Sequence, residues 1–259
     1  RMSAFWRGTM AVSIKSAREI ELMREAGKRL AHVHQELEAM ITPGISTWEI
    51  DAKGEKLIRD CGCIPNFLHY NGYPASICVS VNDEVVHGIP RKDRYLKEGD
   101  IVSLDAGLIY KGYHSDAART HAVGKVSTEA QKLMDVTKQS FFEGIKMAKE
   151  GQHLHDISRA IEEYVTPYGY GIVRDLVGHG IGTALHEDPQ IPNYAQKRRG
   201  VRLQAGMTLA IEPMINAGTW QVRFLRDGWT VVTKDGSLSA HYENTILVTD
   251  GEPEILTLY

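Results

Sequence analysis

Four carboxylic acids stand in four stretches of this chain that read as strands, so the fold must either pair them or bring them together. Asp105 lies in Ile101-Val102-Ser103-Leu104-Asp105-Ala106-Gly107-Leu108-Ile109, and Glu212 in Leu209-Ala210-Ile211-Glu212-Pro213-Met214-Ile215. Glu243 interrupts His241-Tyr242-Glu243-Asn244-Thr245-Ile246-Leu247-Val248, and Asp116 leads into the run from Ala118 to Val123. A bare buried carboxylate costs several kcal/mol, and four of them are not a surface pattern. Asp105 and Asp116 flank a turn at Tyr110, Lys111 and Gly112. A two-residue turn at 110 and 111 sets Asp105 opposite Asp116; a turn at 111 and 112 sets Asp116 opposite Gly107, on the same face as Asp105. Either register puts two carboxylates side by side, which repel unless a proton or a cation is shared. A metal is the economical explanation.

Histidine supplies the remaining donor type. His179 sits in Gly178-His179-Gly180-Ile181-Gly182, where glycines let the backbone approach a ligand closely. His186 follows before Glu187-Asp188-Pro189, and His87 ends the apolar run Val85-Val86 beside Gly88. The other histidines, His32, His34, His153 and His155 among them, read as solvated side chains of polar helix faces and loops.

Around these residues the pattern is helix, helix, strands, stated twice. Ser16 and Glu19 form a capping box before apolar residues at helical spacing from Ile20 to Ile41, ended by Pro43 and Gly44. Ser46 and Glu49 open a second helix that Gly62 closes. Strands follow over Ser76 to Val81, Ile101 to Ile109 and Ala118 to Val123. From Ser127 a long helix runs through Leu133, Phe141, Ile145 and Met147, Gly151 breaks it, and a short helix reaches Val165. Met207 to Ile215, Trp229 to Thr233 and His241 to Val248 are the later strands. An offset of 107 overlays Met40 on Met147, Gly44 on Gly151, Ile50 on Ile157 and Gly62 on Gly169, which suggests a duplicated half built on a shared sheet. The expected architecture is one α+β domain from residue 10 to 259. Residues 1 to 9, which lack an apolar signal region, read as an added or poorly ordered lead before Met10.

Composition narrows the remaining choices. Thirty Lys and Arg against thirty-three Asp and Glu leave a charge of −3, so nothing draws the chain globally to DNA or to a membrane. No run approaches the roughly 18 apolar residues of a membrane span. Cys61, Cys63 and Cys78 are too few for a disulfide framework, and with no export signal the cytoplasm is the expected compartment.

Asp105, Asp116, His179, Glu212 and Glu243, in the contexts S-L-D-A-G, S-D-A-A-R-T, G-H-G-I-G, A-I-E-P and Y-E-N-T, resemble the metal-binding set of pita-bread-fold metallopeptidases of family M24. The segments V-N-D-E-V-V-H-G-I-P from Val81 to Pro90 and G-H-G-I-G-T-A-L-H-E-D-P from Gly178 to Pro189 look like those of type I methionine aminopeptidases. The resemblance spans nearly all of Met10 to Tyr259. Glu212 and Glu243 are only 31 positions apart, too few for the helical insertion of the type II branch, and the bacterial minimal form is the better match.

The resemblance implies a curved antiparallel sheet covered by helices, with pseudo-two-fold halves. It implies two divalent ions, cobalt, manganese or iron, with zinc or nickel as further candidates. Asp116 and Glu243 would bridge both ions, Asp105 would chelate one, and His179 with Glu212 would complete the other. Glu212 would also act as general base, while His186 faces the carbonyl oxygen and His87 the scissile nitrogen. Phe67, Tyr70, Tyr73, Cys78, Leu185 and Trp229 match the pocket for the methionine side chain. Phe67 and Leu185 depart from the best-known bacterial pattern, where a cysteine and a phenylalanine stand. Expected partners are nascent polypeptide N-termini with a small second residue and the ribosome near its exit tunnel, with Arg223, Arg226 and Lys234 as basic contacts and a monomer as the working form. Xaa-Pro peptidases and non-catalytic binding proteins of the same fold are the rival readings.

Overall fold

In the described residues four α-helices wrap around one large antiparallel sheet. A computed structural model describes residues 11–258; the expected lead over residues 1 to 9 and the start at Met10 lie outside them. The helices are α1 (Ala17–Ala39), α2 (Thr47–Asp60), α3 (Thr128–Ile145) and α4 (Leu154–Val165). Ser16 and Ser46 cap α1 and α2 with the reciprocal bonds from Glu19 and Glu49 that the sequence anticipates. Gly44 and Gly151, and likewise Gly62 and Gly169, all adopt positive φ, so the glycines aligned by the 107-residue offset perform the same turn in each half.

The sheet comprises β1 (Ile64–Pro65), β2 (Ile77–Val81), β3 (Ile101–Tyr110), β4 (Tyr113–Ala122), β5 (Gly178–Gly180), β6 (Glu187–Ile191), β7 (Thr208–Ile211), β8 (Glu243–Leu247) and β9 (Glu254–Ile255). Its order is β1-β3-β4-β8-β7-β5-β6, with β2 also on β3 and β9 on β8. One face is plain core. Val102, Leu104, Ala106, Leu108 and Ala117 pack against Leu30, Val33, Leu37, Ile50 and Ile58 of α1 and α2. In the other half Leu133, Phe141, Ile157 and Ile161 of α3 and α4 meet Leu209, Ile211 and Ile246. Because strand side chains alternate, Asp105, Gly107, Asp116 and Ala118 are committed to the opposite face.

Two expected strands are each divided. The run Met207 to Ile215 becomes β7 and a separate strand Met214–Asn216, because Pro213 has no N–H to continue the ladder. The run His241 to Val248 divides at Tyr242 into Ser239–His241 and β8. Met214–Asn216 and Ser239–His241 pair with each other in a smaller three-stranded sheet, with Met214 opposite His241. Thus Glu212 and Glu243 stand where the chain passes from one sheet to the other. Trp229 and Thr230 precede rather than join the strand Val231–Thr233.

Candidate metal centre and active site

Register alone gathers the donors. The β3–β4 hairpin turns at Lys111 and Gly112, both at positive φ as a type I′ turn requires, which selects the pairing of Gly107 with Asp116. One row across the sheet then reads Cys78, Asp105, Ala118, Glu243. Thr245, Ala210 and His179 form the neighbouring row. Asp116 joins that row through Thr245, whose hydroxyl accepts from the Asp116 N–H at 3.1 Å and donates to its carbonyl at 2.8 Å. Glu212 lies two residues beyond Ala210, on the same face. Ala118 and Ala210 are small residues in the rows that carry the larger donor side chains, while a Cβ on Gly107 would stand 2.3 Å from Asn66 Oδ1.

Glycines around His179 serve close packing. A Cβ on Gly178 would stand 2.4 Å from the Ala210 carbonyl oxygen, and one on Gly180 would stand 2.3 Å from that of Asp188. The His179 Nδ1–H donates to the Gly180 carbonyl at 2.8 Å, which leaves Nε2 facing Asp116 Oδ2 at 3.6 Å and Glu212 Oε1 at 3.5 Å. Arg119 fixes the adjoining backbone by donating to the carbonyls of Ala118, Glu243 and Thr257.

The electrostatics of these acids call for a cation. Burial, then the neighbouring Asp116 and Glu212 charges, push the Asp105 carboxyl well above its ordinary range, and burial with Asp116 does the same for Glu243. Asp105 Oδ1, Asp116 Oδ1 and Glu243 Oε1 are buried without a hydrogen-bond partner among the described residues. Asp116, His179 and Glu243 offer donor atoms within 4.8 Å of one another. Oxygen-rich donors with one imidazole and no thiolate suit a hard or borderline divalent cation, so the residues fit the expected metal.

A cavity of about 30 Å³ is lined by Asp105, Asp116, His179, Glu212 and Glu243 together with His87, His186, Phe67, Cys78 and Leu185. The remaining expected pocket residues stand behind it. Tyr70, Tyr73 and Trp229 share an apolar cluster with Phe67, Cys78 and Leu185. Tyr73 is fully buried and edge-on to Trp229 at 5.2 Å between ring centres. The Tyr70 hydroxyl lies 2.9 Å from His186 Nδ1 and orients that ring against His179. Burial, reinforced by His179 and His87, holds the His186 pKa well below the ordinary histidine value, and burial takes His87 down to about 3. Both are neutral hydrogen-bonding groups at neutral pH. His87 is held at a φ of 59°, in the left-handed region that favours glycine, and this turns it out of the strand Glu84–Val86. A second, larger cavity of about 340 Å³ continues from His87, His186 and Glu212 past Arg174, Gln190 and Tyr194.

Sequence reasoning misplaced several histidines. His34 is fully buried on α1 with Nε2 2.7 Å from the Ala117 carbonyl, not solvated. His241, only 1% exposed, has Nε2 3.5 Å from Glu212 Oε2 and 4.0 Å from Glu243 Oε2. The only sequence signal for His241 was its position two residues before Glu243, although the chain breaks at Tyr242 and the two residues stand on different strands.

A sheet face carrying four carboxylates and an imidazole around one small cavity, beside two neutral histidines, defines a metal-dependent hydrolase. The chain belongs to metallopeptidase family M24, whose model matches residues 21–250, and it accordingly binds divalent metal and has the pita-bread fold. It is 54% identical over 247 residues to the methionine aminopeptidase of Clostridium acetobutylicum, covering 95% of this chain and 99% of that one. It is 51% identical to methionine aminopeptidase 1 of Bacillus subtilis over 243 residues, 94% and 98% of the two chains. The crystal structure of the Thermotoga maritima methionine aminopeptidase superposes with a TM-score of 0.94 at 46% identity, covering 96% of this chain and all of the other.

Proposed function

We propose that this chain is a methionine aminopeptidase of the bacterial type I branch, removing the N-terminal methionine from nascent polypeptides whose second residue is small. The observation that carries the reading is the shared cavity, in which the five metal-ligand candidates and His87 and His186 meet the apolar side chains Phe67, Cys78 and Leu185. A flexible thioether packs well against such a wall, with Tyr70, Tyr73 and Trp229 behind it.

Asp105, Asp116, His179, Glu212 and Glu243 would hold two divalent cations of the manganese, iron or cobalt type. Bound there, the cations supply Lewis acidity and lower the pKa of water toward neutrality. The protein performs the rest. With the Tyr70 O–H donating to His186 Nδ1, the His186 proton sits on Nε2, where it stabilises the carbonyl oxygen as negative charge develops. His87, neutral and rigidly turned, hydrogen-bonds the scissile amide and keeps its nitrogen in line. Glu212, 14% exposed, takes a proton from the attacking water and delivers it to the leaving amine as the C–O bond forms and the C–N bond breaks. The larger cavity beyond His87 and Glu212 gives the downstream peptide its exit.

We infer that the enzyme works in the cytoplasm, near the ribosome exit, as a monomer. Arg223, Arg226 and Lys234 are exposed around the hairpin Val222–Phe224 and Val231–Thr233, where they can meet RNA phosphates. Hydrolysis of Met-Ala-Ser but not Ala-Pro-Ser, abolished by chelator and restored by Mn²⁺ or Co²⁺, is the expected result. Preference for Ala-Pro-Ser would replace the reading with an Xaa-Pro peptidase, and inactivity on both peptides after metal addition with a binding protein.

A further inference from the structure

We propose that His241 is a positioning residue for Glu212, its Nε2–H held against Oε2 so that Oε1 is turned toward His179. The inference rests on the reading of Glu212 as ligand and proton carrier given above.

The Glu212 carboxylate lies between two imidazoles. His179 Nε2 is 3.5 Å from Oε1, and His241 Nε2 is 3.5 Å from Oε2. The two rings differ in where they stand. His179 lines the cavity that holds the other donors, whereas His241 is not among its lining residues and approaches Glu212 from behind. His241 Nε2 is buried and has no hydrogen-bond partner among the described residues. Such a nitrogen is an exception in folded proteins, and the nearest acceptor it faces is Glu212, with Glu243 Oε2 farther at 4.0 Å. A small rotation of the partly open Glu212 side chain brings 3.5 Å into hydrogen-bond range.

The backbone holds His241 there. The Thr120 hydroxyl accepts from the His241 N–H at 2.9 Å and donates to its carbonyl at 2.8 Å. Met214 pairs with His241, and the Tyr242 N–H bonds the Pro213 carbonyl at 3.2 Å. These contacts set the interruptions of the two strands opposite each other, and that places the ring two residues before Glu243 over the carboxylate two residues before Met214. Residues that orient a metal ligand commonly change metal affinity or activity by about 10- to 100-fold when removed. Glu212, His241 and Glu243 also offer atoms within 4.8 Å of one another, so direct ligation by His241 is the competing arrangement that the test must separate.

The test uses full-length protein stripped with chelator, as wild type, His241→Ala, His241→Gln and Glu212→Gln. Mn²⁺ affinity is measured by calorimetry, the Co²⁺ form by its visible spectrum, and kinetics on Met-Ala-Ser. His241→Ala should weaken Mn²⁺ binding and lower kcat by about 10- to 100-fold, with KM within about threefold of wild type. His241→Gln, which keeps an N–H donor, should recover both to within about threefold, and the Co²⁺ bands should keep their positions in His241→Ala. Wild-type affinity and kcat in His241→Ala, or no recovery in His241→Gln, would overturn the proposal. A shift of the Co²⁺ bands on loss of the imidazole would also overturn it, in favour of direct ligation. Full activity in Glu212→Gln would instead remove the underlying reading, while an inactive Glu212→Gln beside an unaffected His241→Ala would remove only the role of His241.

Discussion

Replacing Lys15 by methionine removes half of a buried ion pair on which the active-site loop leans. Lys15 Nζ lies 2.9 Å from Glu187 Oε2, with side chains 5% and 3% exposed. At that distance an effective dielectric of about 20 gives roughly 6 kcal/mol of gross attraction, against which both desolvation penalties stand. The variant keeps most of the aliphatic stem but leaves the Glu187 charge buried, with the Ser13 hydroxyl and the Ala184 N–H as its remaining partners among the described residues. Breaking such a pair costs about 3 to 5 kcal/mol. With a urea m-value of about 3 kcal/mol/M, the unfolding midpoint should fall by 1 M or more. Glu187 Oε1 accepts from Ala184 at 3.2 Å, and Ala184 lies in the segment that presents His186. Loosening it should lower kcat by roughly 10- to 100-fold, the usual effect of a small misplacement of a reacting group. Lys15→Met with Glu187→Leu should recover most of the stability, since no unpaired charge is left. A single variant within 1 kcal/mol of wild type, or a double variant no more stable than the single, would refute the reasoning.

Glu212→Gln should keep the unfolding midpoint within a few tenths of a molar of urea and cut kcat by at least about 100-fold, the usual worth of a general base, and near-normal turnover would reject the role given to Glu212. Gly180→Ala forces a Cβ to 2.3 Å from the Asp188 carbonyl, so thermal denaturation should report a loss of about 1 to 3 kcal/mol, and an unchanged midpoint would show that β5 and β6 separate freely. Burial holds His34 well below the ordinary histidine pKa and takes His114 and His121 down to about 4. These groups favour the neutral form when folded, so their stabilisation is complete above about pH 6.5 and is lost as pH falls toward 4, by up to about 3 kcal/mol for a fully buried ring. Calorimetric melting between pH 7 and 4 should show the decline, and His34→Gln should make it shallower.

How much of this was legible in the sequence depended on how local the signal was. Capping boxes at Ser16 and Ser46 and the turn glycines are local rules, and they placed the helices nearly to the residue. Acids in apolar runs are also visible without a fold, because nothing else explains Asp105 or Glu243 among core residues. The hairpin register was left between two alternatives, and positive φ at Lys111 selected one of them. The strand interruptions at Glu212-Pro213 and at Tyr242 depend on two sheets meeting, which periodicity cannot show; Pro213 was the only local hint. The histidines failed for a related reason. His34 is a polar residue at helical spacing from the buried Leu30, Ala31 and Leu37, and its burial follows from how closely α1 lies on β4, where it meets the Ala117 carbonyl. His241 needed the pairing with Met214 before its distance from Glu212 meant anything.

That Asp105, Asp116, His179, Glu212 and Glu243 together cage two divalent cations is tested most directly by titrating chelator-stripped protein with Mn²⁺ in a calorimeter. Wild type should take up two equivalents and release protons, since Asp105 and Glu243 sit well above their ordinary pKa until a cation arrives. Asp116→Asn should lose at least one equivalent. Absence of binding in the wild type, or a stoichiometry untouched by Asp116→Asn, would contradict the assignment of these residues as the metal centre.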